Sequence, residues 1–77
     1  MKVTLESTTK IVRLIVDGRE VPARIWEGHT ASGIPCHAYI TRIAVANDQP
    51  SEAFERELLE QRRPTAAIEA IPLRLII

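Results

Sequence analysis

The chain has 77 residues, with ten basic and ten acidic side chains, so its formal net charge at neutral pH is zero. This balance argues against binding of nucleic acid through bulk positive charge and against imitation of nucleic acid through bulk negative charge. A chain of this length forms one small domain and buries only about 60–65% of the surface that its unfolded form exposes. We therefore predict a single domain over residues 1–77 with a thin core.

Cys36 is the only cysteine, which rules out an internal disulfide and fits a reducing compartment. Without a disulfide or a set of zinc ligands, so small a core is expected to gain stability from a partner protein or a second copy. The sequence has no apolar run of about 18 residues and no apolar signal segment after Met1. We predict a cytoplasmic protein that forms a homodimer and does not enter the membrane.

The first half of the chain predicts strands. Residues 1–9 alternate weakly and predict a polar arm or a short strand. Residues 10–46 are rich in β-branched side chains and predict two hairpins in series. Asp17 and Gly18 separate the first two apolar runs, and this pair favours a type I′ turn. With that turn, the predicted pairs are Val16 with Arg19, Leu14 with Val21, and Val12 with Ala23.

The second turn is predicted as a four-residue loop at 30–33 that ends in a residue tolerant of positive φ. Pairing His29 with Ile34 then places Trp26 opposite His37, and Arg24 opposite Tyr39. This register leaves one sheet face purely apolar and groups the arginines with the aromatic rings on the other. A β-bulge is expected near residues 41–42, where the apolar pattern changes.

The second half predicts a helix followed by a strand. Residues 51–63 have an apolar stripe that includes Phe54 and Leu58, acidic side chains in the first turn and arginines at the end. Residues 65–70 allow one further helical turn, and residues 73–77 predict a terminal strand. The predicted fold is α+β: an antiparallel sheet of four or five strands, in the order (β)βββαβ, with one helix packed on its apolar face.

The mixed sheet face is the predicted functional surface. Tryptophan, tyrosine and arginine dominate binding hot spots, and an apolar centre with a charged rim is typical of protein interfaces. The predicted partner-binding residues are Arg13, Ile15, Arg24, Trp26, His37 and Tyr39. The same side chains would suit a nucleotide or a nucleic acid, because arginine binds phosphate and aromatic rings stack on bases. A third interpretation is that the rings pack against each other within the chain, with arginines covering them.

No residue set predicts catalysis, a metal site or a cofactor. Cys36 and His37 are neighbours on a predicted strand, so their side chains point to opposite faces, and His29 lies in a turn. Glu52 and Arg56 have the spacing of an ion pair on a solvated helix face. We predict that the protein is not an enzyme, and the role of Cys36 stays open.

Residues 26–45, WEGHTASGIPCHAYITRIAV, combine a tryptophan strand, a glycine turn and a Thr-Arg-Ile strand. This quarter of the chain resembles segments of small phage and prophage accessory proteins, a group that includes anti-CRISPR inhibitors. The neutral charge differs from that of the acidic inhibitors that imitate DNA. We expect a non-catalytic protein that binds and inhibits or modulates a host or viral protein through a sheet face or edge. Nucleotide or nucleic-acid binding is the alternative.

Overall fold

The computed structural model describes all residues, 1–77, and consists of one mixed sheet with two short helices. The elements in chain order are β1 (Val3–Val16), β2 (Arg19–Thr30), β3 (Pro35–Ile40), α1 (Ser51–Leu58), α2 (Ala66–Glu69) and β4 (Arg74–Ile76). The sheet order is β3-β2-β1-β4, so the two longest strands form its centre. The predicted α+β class is confirmed, whereas several details of the sheet and the helices differ from the prediction.

The hairpin between β1 and β2 has the predicted turn and the predicted register. Asp17 and Gly18 both have positive φ, 51° and 77°, as a type I′ turn requires. Val12 lies opposite Ala23, so their side chains share one face of the sheet. Both are buried, and this face is called the core face below.

The hairpin between β2 and β3 is shifted by one residue from the prediction. The Gly33 N–H donates to the Thr30 carbonyl over 2.9 Å, and Gly33 has a φ of 90°. The Thr30 N–H donates to the Ile34 carbonyl, also over 2.9 Å, and this hydrogen bond closes the loop. This geometry is a three-residue connection that ends in a glycine bulge, and it is one residue shorter than the expected loop. Trp26 therefore lies opposite Ala38.

The shift moves the side chains of β3 to the other face of the sheet, because side chains alternate along a strand. His37 lies opposite Glu27, and Tyr39 lies opposite Ile25, so both rings project on the core face. The predicted grouping of these rings with Trp26 and the arginines is therefore wrong.

Strand β1 includes most of the segment predicted as an arm or short strand, residues 1–9. A bulge interrupts its pairing with β2, so that residues 8–10 of β1 lie opposite a single residue of β2, Ile25. Because the bulge adds two residues, side chains on either side of it keep their faces. No strand forms at residues 41–46, where the second hairpin was expected to continue past a bulge, since β3 ends at Ile40.

Strand β4 makes the sheet mixed, which corrects the prediction of an antiparallel sheet. It runs parallel to β1, with Leu75 opposite Leu14. The chain first meets β1 at Arg62, which forms a parallel bridge with Thr8. It then leaves the sheet through α2 and returns to β1 farther along in the same direction. A parallel neighbour cannot follow a tight turn and needs a long connection, which here is the chain through β2, β3 and α1.

Helix α1 ends at Leu58 and not at residue 63, because the backbone of Arg62 is hydrogen-bonded to strand β1. The Arg62 N–H donates to the Ser7 carbonyl over 3.1 Å, and the Arg62 carbonyl accepts from the Thr9 N–H over 3.0 Å. A residue inside a helix would direct both groups along the helix axis. The helix therefore has to stop before this contact.

The core face is covered by α2 and not, as predicted, by Phe54 and Leu58 of α1. Ile68 of α2 is buried, whereas α1 has no buried residue. The chain enters α2 from Thr65, which is hydrogen-bonded to Glu27 beside the core, so α2 lies directly over it. The core consists of Val12, Leu14, Ala23, Ile25 and Ile68, with Val21, Ile71 and Leu75 packed against it.

The fold is open for its size. Eight residues are buried, and the accessible surface is 6140 Å². A monomeric protein of 8.6 kDa is expected to expose about 4,700 Å². The radius of gyration is 13.8 Å, compared with about 11.5 Å for a compact domain of this length. The chain therefore exposes roughly 1,400 Å² more than a compact monomer of its mass.

Candidate partner-binding face

The sheet face opposite the core face is called the outer face here. It carries four of the six residues predicted to bind a partner, Arg13, Ile15, Arg24 and Trp26, which alternate along β1 and β2 with the core positions. The other two, His37 and Tyr39, lie on the core face at the edge of the sheet. The predicted site is thus divided between two surfaces.

A groove of about 280 Å³ runs along the outer face, between the sheet and the segment that follows β3. Ile11, which is 48% exposed, lines it together with Pro22, and Trp26 lies farther along it. Arg24 and Arg42 are its charged residues, and no carboxylate lines it. The groove is therefore lined mainly by apolar residues, and both of its charged residues are positive.

A smaller hollow of about 190 Å³ lies between Trp26 and helix α1. Ile43, Phe54 and Leu58 line it from the other side. The half-buried indole ring of Trp26 therefore borders both the hollow and the groove. Because α1 buries none of its residues, the helix rests loosely over this end of the outer face.

The arginines of the outer face differ in how firmly they are held. Arg24 donates from Nη1 to the Thr8 carbonyl over 2.8 Å and so supports the β1 bulge. Arg13 lies 3.7 Å from Glu20 in an exposed ion pair, which contributes little to stability. Arg42 makes no hydrogen bond or ion pair within the chain, so all its guanidinium donors are free for a ligand.

His37 and Tyr39 form a pair of their own on β3. The His37 Nε2 lies 3.1 Å from the Tyr39 hydroxyl, and the ring centroids are 5.3 Å apart at 85°. Tyr39 is 37% exposed, and β3 is an edge strand with no neighbour on its outer side. The edge of β3 is therefore a second exposed surface, separate from the groove.

The most enclosed charged group was missed by the sequence prediction. Glu27 is 7% exposed. Its Oε1 accepts from Arg62 Nη1 over 2.7 Å and from the Thr65 N–H over 2.8 Å, and its Oε2 accepts from the Thr65 hydroxyl over 2.8 Å. A signal was present, because Glu27 continues the core-facing alternation of Ala23 and Ile25. A carboxylate in such a position needs charged or hydrogen-bonding partners.

The partners of Glu27 keep it ionised. Burial on its own raises the pKa of this carboxyl group. The hydrogen bond from the Thr65 backbone N–H, those from Arg62 and the Thr65 hydroxyl, and the positive charge of Arg62 lower it by more. The net pKa of Glu27 lies below its ordinary value. Glu27 therefore joins β2 to the segment that leads into α2, and its role is structural.

We expect acid to weaken the fold through Glu27. A carboxyl group whose pKa is lower in the folded state stabilises the fold fully above its unfolded pKa, about 4.3 for glutamate. That stabilisation is lost as the pH falls through the folded pKa. Urea denaturation between pH 7 and pH 3 measures the effect, and Glu27→Gln is expected to be less stable at pH 7 but less sensitive to acid. An equal acid sensitivity of both proteins would contradict this assignment.

No group of three or more His, Cys, Asp or Glu side chains is arranged to hold a metal ion. None of the helices has the length and apolar character needed to cross a bilayer. Cys36 is a free thiol of intermediate exposure.

Comparisons with protein families, with characterised proteins and with solved structures found no match to this chain.

Proposed function

We propose that this chain is a non-catalytic accessory protein of the phage type, which binds and inhibits or modulates a host protein in the host cytoplasm. The groove on the outer face is the proposed binding site. The observation that carries the proposal is a mainly apolar groove, open to solvent, that both Trp26 and Arg42 line. Tryptophan and arginine are the residue types most enriched in binding hot spots.

The lining of the groove defines the chemistry of the partner. Ile11, Pro22 and Trp26 suit apolar side chains, and Arg24 and Arg42 suit a carboxylate at the rim. Since no acidic residue lines this groove, a partner with basic side chains at this point gains nothing. The proposed partner therefore presents an apolar side chain next to an acidic one.

Nucleotide or nucleic-acid binding is the second proposal, and one observation favours it. Trp26 lies on the same groove as two arginines, which suits a stacked base beside a phosphate. Without His37 and Tyr39 on this face, however, Trp26 is the one aromatic ring that lines the groove. A panel of nucleotides that raises the melting temperature, with an effect that salt weakens, would favour this function over protein binding.

The protein-binding proposal is tested by comparing variants of matched charge. The tagged chain captures host proteins, and each candidate is purified and titrated calorimetrically against the chain. We expect Trp26→Ala and Arg42→Glu each to raise the dissociation constant of the true partner at least tenfold. Arg19→Glu makes the same charge change at an exposed site near the β1–β2 turn and is expected to leave the constant unchanged.

Two results would overturn the proposal. One is a partner that binds the Trp26 and Arg42 variants as tightly as the unmodified chain. The other is a set of captured proteins that does not differ between the unmodified chain and Arg42→Glu. Thermal melts of each variant establish that the comparison is made between folded proteins.

A further inference from the structure

Strand β3 leaves one edge of the sheet open. Its outer backbone groups make no hydrogen bond within the chain. None of its residues, PCHAYI, is a lysine, arginine, aspartate or glutamate, whereas edge strands are commonly protected by charged side chains or by short length. The opposite edge is protected in both ways, because β4 has three residues and includes Arg74. The edge of β3 is therefore not protected by charged side chains.

The loop geometry determines which backbone groups of β3 face outward. The Thr30 N–H bonds to the Ile34 carbonyl, and hydrogen-bonded positions in an antiparallel ladder alternate from that pair onward. The outward-facing backbone groups therefore belong to Pro35, His37 and Tyr39. Proline suits the first of these positions because it has no N–H to donate.

We propose that two copies of this chain pair their β3 strands antiparallel and form one continuous sheet, with Ala38 on the twofold axis. In this register His37 lies opposite Tyr39 of the second copy, and each such pair exchanges both backbone hydrogen bonds. The arrangement uses the same surface of both copies, as twofold symmetry requires.

Neighbouring registers are less favourable for reasons visible in the strand. A shift of two residues in one direction places Pro35, which lacks an N–H, in a hydrogen-bonded pair. A shift of two residues in the other direction uses Thr41, which lies beyond the end of β3. The register centred on Ala38 is the one in which His37 and Tyr39 satisfy both the outward N–H and the outward carbonyl of each other.

The open shape of the chain as a whole means that a second copy would bury surface that one copy leaves exposed. The chain exposes roughly 1,400 Å² more than a compact monomer, and a stable interface needs about 800 Å² from each partner. The paired edges also bring His37 and Tyr39 of one copy beside the same rings of the other, on one face of the sheet. Cross-strand aromatic pairs of this kind stabilise sheets.

The proposal is tested by the mass of the chain in solution, measured by analytical ultracentrifugation at about 100 µM. The unmodified chain and His37→Ala are expected to have twice the mass of one chain, which is 8.6 kDa. His37→Pro removes the same ring and also an outward N–H that β2 does not use, so we expect a folded monomer. An unmodified chain that is monomeric, or a folded His37→Pro that dimerises as well as His37→Ala, would overturn the proposal.

A cross-linking experiment tests the register and does not depend on the proline variant. In a Cys36→Ser background, Ala38→Cys brings two Cα atoms to about 4.5 Å across the axis, a separation that a disulfide bridges. We expect mild oxidation to cross-link this variant, and to leave the matched turn variant Ser32→Cys uncross-linked. Equal cross-linking of both would overturn the register. None of these outcomes decides whether the groove binds a host protein, because Trp26 and Arg42 are unchanged in every variant.

Discussion

Glu27→Ala is expected to lower the free energy of unfolding by about 3 kcal/mol. The substitution removes a buried carboxylate that accepts hydrogen bonds from Arg62 and from both the backbone and the hydroxyl of Thr65. Because the side chain of Arg62 is 35% exposed, water can solvate its charge once Glu27 is removed. The loss of free energy of unfolding therefore lies at the low end of the range for breaking a buried ion pair. A domain of this size has only about 3–5 kcal/mol in total. The variant is therefore left with a free energy of unfolding close to zero at room temperature.

Urea denaturation at pH 7 measures this loss, and the chain contains a matched control. Glu6 also approaches Arg62, at 3.7 Å, but its side chain is well exposed. Glu6→Ala removes the same charge from the same partner and is expected to cost less than about 1 kcal/mol. Equal losses for the two variants would mean that Glu27 contributes only a surface ion pair, which would contradict the structural role given to it.

Ile68→Ala is expected to have the second large effect, a loss of about 2–4 kcal/mol. Ile68 is the single buried residue of α2, and it packs on the core face against Val12, Leu14 and Ile25. Removing its side chain leaves a cavity beneath a helix of four residues, which has little stability of its own.

The control for Ile68 is Leu58→Ala in α1. Leu58 is 36% exposed and lies on the side of the outer face, so its truncation is expected to cost less than about 1 kcal/mol. Thermal melts of both variants provide the comparison. If Leu58→Ala proved as damaging as Ile68→Ala, α1 would be packed more tightly than the structure has it.

The first hairpin was predictable because its signals are local. Asp17 and Gly18 allow a turn in which both residues have positive φ, and the alternation of apolar side chains admits one register. Both signals lie within a few residues of the turn. The predicted core positions Val12 and Ala23 consequently proved correct.

The second hairpin shows how a small local ambiguity changes a predicted site. Residues 30–34 allow either a four-residue loop or a three-residue loop with Gly33 in a bulge, and the two differ by one residue in register. The expectation of a four-residue loop placed His37 and Tyr39 beside Trp26. The bulge places them on the other face, and the predicted site separates into a groove and a strand edge.

The path of the second half was beyond local prediction. The strand order depends on Arg62, which lies 54 positions from Thr8 in the numbering of the chain and yet forms a parallel bridge with it. The position of Arg62 has no signal in its own segment. The covering of the core by α2 follows from these contacts, and so the prediction that α1 covers the core was wrong.

The two proposed surfaces serve different purposes on one sheet. Pairing of the β3 edges would stabilise a chain whose core is small, and it would leave the outer face of both copies open. Trp26 and Arg42 lie on that face. A dimer of this kind carries two grooves, which would increase the avidity for a partner that is itself multimeric.

The central claim, that a partner protein occupies the groove, is tested most directly at Trp26, the only tryptophan of the chain. Labelling with 5-fluorotryptophan provides one fluorine signal, which the tryptophans of a partner do not obscure. We predict that the partner shifts this signal and reduces the access of a solvent quencher to the ring, while leaving the Arg42→Glu variant nearly unaffected at the same concentration. A partner that binds tightly without changing the signal or the solvent access of Trp26 would contradict the claim.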